Sequence, residues 1–228
     1  MTAKHGKRYQ KIKADVQEKV YELGEAVRFL KDHQSAKFDE TAELAMRLGV
    51  DTTKSDQTVR GTVGLPHGTG KKVRVLVFAA GGAADAARTA GADFVGNEEL
   101  IEKVKSGWTS FDVAIATPEA MKEVRKLGKV LGPRGLMPNP KTGTVTDDTA
   151  AAVKASKAGR VEFRMDKNGN VQVPFGKLSF DPAQLAENCN AIIAAVKAAR
   201  PAAAKGVYVK RCVVSSTMGV GLNVDVHD

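Results

Sequence analysis

Cysteine is nearly missing from this sequence: its 228 residues include two, Cys189 and Cys212, far apart and without a CxxC spacing. That argues against a disulfide framework or a thiolate zinc site and implies two reduced, half-buried thiols. Histidine is equally sparse. His5, His33, His67 and His227 stand singly without ligand spacing, so neither a metal site nor a cofactor is indicated. No apolar run approaches the roughly 18 residues of a membrane span, and a membrane partner is not expected. The opening "MTAKHGKRYQKIK" has no apolar centre of the kind a secretion signal needs, which points to the cytoplasm. Nor does any Ser/His/Asp or paired-carboxylate set appear at a spacing suited to catalysis.

Acid is also in short supply. Thirty-five Lys and Arg face 26 Asp and Glu, a net charge of +9, and such a balance favours a polyanionic partner through counterion release. Two tracts hold cations without any acid. One is Lys4, Lys7, Arg8, Lys11 and Lys13, ahead of Asp15; the other is Arg125, Lys126, Lys129, Arg134 and Lys141, between Glu123 and Asp147. The second tract overlaps "KVLGPRGLMPNPKTGTV" (129–145), which holds three of the eight prolines together with Gly132, Gly135 and Gly143. Neither a helix nor a strand interior tolerates that spacing, so the segment reads as a long, stiff, cationic loop.

The middle of the chain alternates between two periodicities. "KKVRVLVFA" (71–79), "DFVG" (93–96) and "FDVAIATP" (111–118) read as buried strands. "AADAARTAGA" (83–92), "NEELIEKVKSG" (97–107, capped by Asn97) and "EAMKEVRKLGKVL" (119–131) read as helices. This order predicts a parallel sheet with helical crossovers, a Rossmann-like three-layer α/β domain over 67–159. The flanks differ. "ETAELAMRLGVD" (40–51) and "QTVRGTVGL" (57–65) read as strands and "GEAVRFLKDH" (24–33) as a helix. "RVEFRMDKNGNVQVPFGK" (160–177) reads as a hairpin turning at "DKNG". A capping box at Asp181, Pro182 and Gln184 opens a helix with Leu185, Cys189, Ile192, Ile193 and Val196 on one face. The last strands are broken at 216–219. The economical architecture is α/β plus α+β: residues 1–66 and 160–228 form a split antiparallel-sheet α+β domain, and 67–159 are inserted into it. The two crossings are expected to act as a double hinge.

Two segments imitate nucleotide loops. "HGTGKK" (67–72) lacks the first glycine of a phosphate loop and precedes a strand instead of following one. "FAAGGAAD" (78–85) follows a strand but lacks GxGxxG and the later acid. Binding features are better represented. Lys37 and Phe38 enter a strand, where Phe38 reads either as a core residue or as an exposed ring that stacks a base beside an ammonium. "SSTMG" (215–219) interrupts two strands and is equally a plain turn or a flat, hydroxyl-bearing seat for an RNA minor groove. Arg164 lies beside the "DKNG" turn and Lys167 on it.

The strings "HGKRY", "AKFDET", "SDQTVRGTVGLPHGTGK", "LGPRGLMPNPKTGTV", "GRVEFRMDKNG" and "STMG" together resemble the bacterial L-one family of large-subunit ribosomal proteins, from about His5 to Gly219. Ser216 stands where some members carry threonine. The resemblance implies a two-domain, non-enzymatic protein that binds large-subunit rRNA at the mobile stalk beside the exit site. It also implies contact with deacylated exit-site tRNA during its release, neighbouring ribosomal components, and repression of the protein's own messenger RNA. Carried over by motif, the rRNA-binding residues are Lys37, Phe38, Thr41, Arg164, Lys167, Thr217, Met218 and Gly219. Lys129, Arg134 and Lys141 are candidates for facing tRNA. Two rival readings remain: a nucleotide-binding enzyme built on the Rossmann-like insert, and a translational repressor that is not a ribosomal component.

Overall fold

The computed structural model describes residues 6–226, so Lys4, His5 and His227 lie outside the described residues. From the N-terminus, helices α1 (Lys7–Ala14) and α2 (Leu23–Asp32) lead into strands β1 (Thr41–Leu48) and β2 (Arg60–Gly64). Strand β3 (Val75–Phe78), helix α3 (Gly82–Thr89), β4 (Phe94–Gly96), α4 (Glu98–Lys105) and β5 (Val113–Ala116) follow. Two single-turn helices, α5 (Met121–Val124) and α6 (Gly128–Leu131), precede α7 (Thr149–Lys157). Strands β6 (Arg160–Arg164) and β7 (Asn170–Lys177), helix α8 (Pro182–Ala198), and strands β8 (Val209–Ser216) and β9 (Leu222–Val224) complete the order. The contacts divide the chain into two units: residues up to Gly70 together with those from Val161 onward, and Lys71–Arg160 between them.

In the first unit, β1 from near the start of the chain is paired antiparallel on both sides with strands from its end. The sheet order is β7-β1-β8-β9. Alternation along β1 sends Ala42, Leu44, Met46 and Leu48 inward, where they meet Val171, Val173 and Phe175 of β7 and Cys212 and Val214 of β8. Helices α2 and α8 cover that inner face with Ala26, Val27, Leu30, Leu185, Cys189 and Ile192. Helix α8 starts as its capping box predicts, with Asp181 N donating to Gln184 Oε1 at 3.2 Å. The opposite face presents Glu43, Ala45, Arg47, Gln172, Pro174, Arg211 and Val213, exposed or half-buried.

The hairpin expected over 160–177 is not a hairpin ladder. Strands β6 and β7 belong to different sheets, β6 pairing with β2 and β7 with β1, and a single Met165–Val171 bridge joins them. Each strand finds its partner elsewhere, which local turn chemistry cannot reveal. The turn itself forms as read: Asp166 Oδ1 accepts from the backbone N–H of Asn168 and Asn170, both at 2.8 Å, and Gly169 takes positive φ.

The second unit has three parallel strands in the order β4-β3-β5. All four residues of β3 are buried. Val75 and Val77 join α3 and α7 on one side, while Leu76 and Phe78 join α4, α5 and α6 on the other. A strand buried on both faces explains the unbroken apolar run. The single helix expected over 119–131 is instead α5 and α6 joined by a 3₁₀ turn at Arg125–Leu127. The tightened turn keeps Val124, Leu127 and Leu131 all buried beside the sheet, and tertiary packing overrides helical propensity there. Asn97 occupies the N-cap position of α4 without accepting a capping hydrogen bond.

Candidate nucleic-acid interface

Where β1 begins and β8 ends, two loops 176 residues apart are bonded into one edge. Thr217 N donates to Thr41 O at 3.1 Å, and Thr41 N donates to Thr217 Oγ1 at 3.0 Å. On one side of this exchange Phe38 is 53% exposed; on the other Met218 is 46% exposed. Lys37, Phe38, Thr217 and Met218 are thus brought to one edge, with Thr41 and Gly219 half-buried between them. Phe38 is not a core residue. Large apolar side chains standing in water beside cations suit a partner with flat apolar faces and phosphates.

The residues around this edge are braced. Lys177 Nζ donates to Thr41 Oγ1 at 2.8 Å and to Asp39 O at 3.2 Å, while the Asp39 carboxylate accepts from Ser179 N and Ser179 Oγ. Glu40, 1% exposed, accepts from both loops. Burial pushes its carboxyl up, but hydrogen bonds from Ser216 Oγ and from the Met218, Ala36 and Ser35 amides outweigh that and hold it below 4.5. Helix α1 adds positive charge beside the same loop: Arg8 Nη1 donates to Ser35 O at 3.0 Å, and Lys7 and Lys11 are exposed one turn apart on that flank.

Arg164 and Lys167 are not at this edge. Both are exposed, but the Asp166–Gly169 turn lies where Arg47 pairs with Asn170, at the far end of β1. Six residues of extended strand place the two ends about 20 Å apart. Between them, on the open face, is a groove of about 400 Å³ lined by Ala45, Met46, Arg47, Asn170, Gln172, Arg211 and Val213. Arg47 and Arg211 are directly opposed across β1 and β8. Like charges in that arrangement repel, and an anion lying across them removes the penalty. The acid of this face is Glu43, opposite Ser215. Sequence reasoning missed Lys177, Arg47 and Arg211, which strand pairing singles out, and Glu40, which hydrogen bonds from residues distant in the chain single out.

On the second unit, Lys129, Arg134 and Lys141 are all exposed. Lys129 lies in α6, so the segment read as a loop over 129–145 starts as helix; Arg134 and Lys141 follow in a loop braced by more than proline. Asn139 O accepts from Thr142 Oγ1 and Thr144 Oγ1, Asn139 N donates to Thr144 Oγ1 at 2.8 Å, and Arg160 donates to Thr142 O. Val145 then bridges Ala116 at the end of β5. Arg134 donates to Thr109 Oγ1. At the carboxyl ends of β3, β4 and β5 a cavity of about 330 Å³ is lined by Ala80, Ala83, Asn97, Thr117, Glu119, Ala120, Glu123 and Asp147. A nucleotide would sit here in a sheet of this kind, but the three carboxylates repel a polyphosphate. Among the described residues no group of His, Cys, Asp and Glu could hold a metal ion, and no helix is long and apolar enough to cross a membrane.

A family model described as the ribosomal protein L1p/L10e family matches residues 30–220. The chain is 53% identical over 223 residues to the large ribosomal subunit protein uL1 of Kosmotoga olearia, covering 97% of this chain and 96% of that protein. It is 55% identical over 226 residues to the protein of the same name from Fervidobacterium nodosum, with 98% and 96% covered.

Proposed function

The chain belongs to the ribosomal protein L1p/L10e family, and on that premise we propose that it is a non-enzymatic component of the large ribosomal subunit that binds the subunit's rRNA with the unit made from its two ends. The observation that carries this reading is the edge at which Thr41 and Thr217 exchange hydrogen bonds while Phe38 and Met218 stand exposed beside Lys37. From there the RNA runs along the open face, over Arg47 and Arg211, to Lys167 and Arg164 at the far turn. A path of about 20 Å spans several nucleotides, so folded RNA is recognised by shape, with cations meeting phosphates at intervals.

Finer parts of the reading rest on the resemblance of the motifs. The rRNA site is the mobile stalk beside the exit site; the inserted α/β unit offers Lys129, Arg134 and Lys141 to exit-site tRNA as it leaves; and the same RNA surface binds the protein's own messenger. The protein works in the cytoplasm on ribosomes.

The test is binding to a transcript of the rRNA stalk together with cosedimentation with large subunits. Affinity is expected to fall steeply with salt, by a slope of roughly 0.7–0.9 per neutralised phosphate. Phe38→Ala is expected to lose on the order of 1–3 kcal/mol of binding without loss of stability. Phe38→Ala binding at full affinity, or no cosedimentation, overturns the proposal.

A further inference from the structure

We propose that Glu40 is a positioning residue for the RNA surface, its buried carboxylate coupling the Phe38 loop to the Met218 loop; the inference rests on the reading of that surface given above. Oε1 accepts from Ser35 N at 3.3 Å and Ala36 N at 3.1 Å. Oε2 accepts from Ser216 Oγ at 2.7 Å and Met218 N at 3.0 Å. Two donors therefore come from the loop that carries Lys37 and Phe38, one from Ser216 at the end of β8, and one from Met218 in the loop that follows it. All four are neutral dipoles. An ionised carboxylate buried on such partners alone is an expensive arrangement for a purpose that apolar packing would serve.

That purpose is not pairing of the strands. β1 and β8 are already in register from Ala42–Ser216 to Leu48–Val209, and Glu40 lies beyond the end of β1. Apart from Ser216, whose pairing with Ala42 closes the ladder, its carboxylate holds the segments past the ladder, which are the segments that carry the exposed side chains. The same geometry reassigns Gly219. The sequence suggests that glycine there lets RNA approach the backbone. In the structure, a Cβ at Gly219 would collide with Ser216 Oγ, the hydroxyl that donates to Glu40. Glycine is required to keep that donor in place.

The test uses the full chain and a transcript of large-subunit rRNA, comparing wild type, Glu40→Gln, Phe38→Ala and the double variant, with thermal unfolding measured on each. Gln retains one acceptor oxygen but turns its amide N–H groups toward N–H or O–H donors. Glu40→Gln is expected to weaken binding at least tenfold in the wild-type background and clearly less in the Phe38→Ala background. A purely structural role would give equal losses in both. Ser216→Ala, which leaves three amide donors on the carboxylate, is expected to weaken binding several-fold and carries the same test if Glu40→Gln does not fold. If Phe38→Ala weakens binding while Glu40→Gln and Ser216→Ala stay within twofold of wild type, or if the Glu40 and Phe38 losses simply multiply, the positioning role is wrong. If Phe38→Ala binds like wild type, the surface reading itself fails and takes this inference with it.

Discussion

Asn188 shows how a single side chain can hold a segment in place. It sits on the apolar face of α8, fully buried among Leu185, Cys189 and Ile192. Its Nδ2 donates to Gly68 O at 2.9 Å and to Phe175 O at 2.8 Å, and its Oδ1 accepts from His67 N at 3.1 Å. Replacing it with leucine keeps the volume but strands three backbone groups. Asn188→Leu is expected to destabilise the terminal unit by at least about 1–3 kcal/mol, read as a lowered urea midpoint with an unchanged slope. Its RNA affinity, measured where the variant is folded, should match wild type. Nothing local in the sequence tells which backbone this side chain serves. Phe38 was similarly undecided: an aromatic beside a lysine is consistent with core or surface, and only its 53% exposure settles the matter.

Among the elements, β3 and β5 are tied at their start by a carboxylate. Asp112 accepts from Lys71 Nζ at 2.6 Å, Arg74 N at 3.1 Å and Arg74 Nε at 3.2 Å. Burial alone would raise its carboxyl; these donors overcome that and lower it from 3.8 to about 2. A folded value below the unfolded one means the stabilisation is complete above about pH 4 and disappears as pH falls through about 2. Asp112→Asn is expected to cost about 1–2 kcal/mol at pH 7, discounted because both cations are exposed. In urea unfolding from pH 7 down to 2, the gap between variant and wild type should close; a constant gap contradicts the assignment. Elements with their own start and stop chemistry, such as α8, and those with a clear period, such as β1 and β3, were legible in the sequence. The partners of β6 and β7 were not, since a tight turn states only that the chain reverses and not which strand each arm then joins.

At the scale of the whole molecule, positive charge is shared between units of different construction, so the rRNA and tRNA roles proposed for them are expected to separate by mutation. Neutralising Lys129, Arg134 and Lys141 together is expected to weaken tRNA association several-fold at low salt while leaving binding to an rRNA transcript unchanged. Equal loss on both RNAs, or on neither, would refute that division. By itself the sequence determined the classes of element, the cationic character, the capping box of α8 and the family signature. Each of these depends on residues adjacent in the chain or one helical turn apart. Only the tertiary structure decided that Glu40 receives hydrogen bonds from donors 176 and 178 residues away, that Arg47 faces Arg211, and that Arg164 and Lys167 stand at the other end of the sheet from Phe38. The physical reason is that strand register is set by burial of one face summed over every strand in the sheet, a quantity no short stretch of sequence contains.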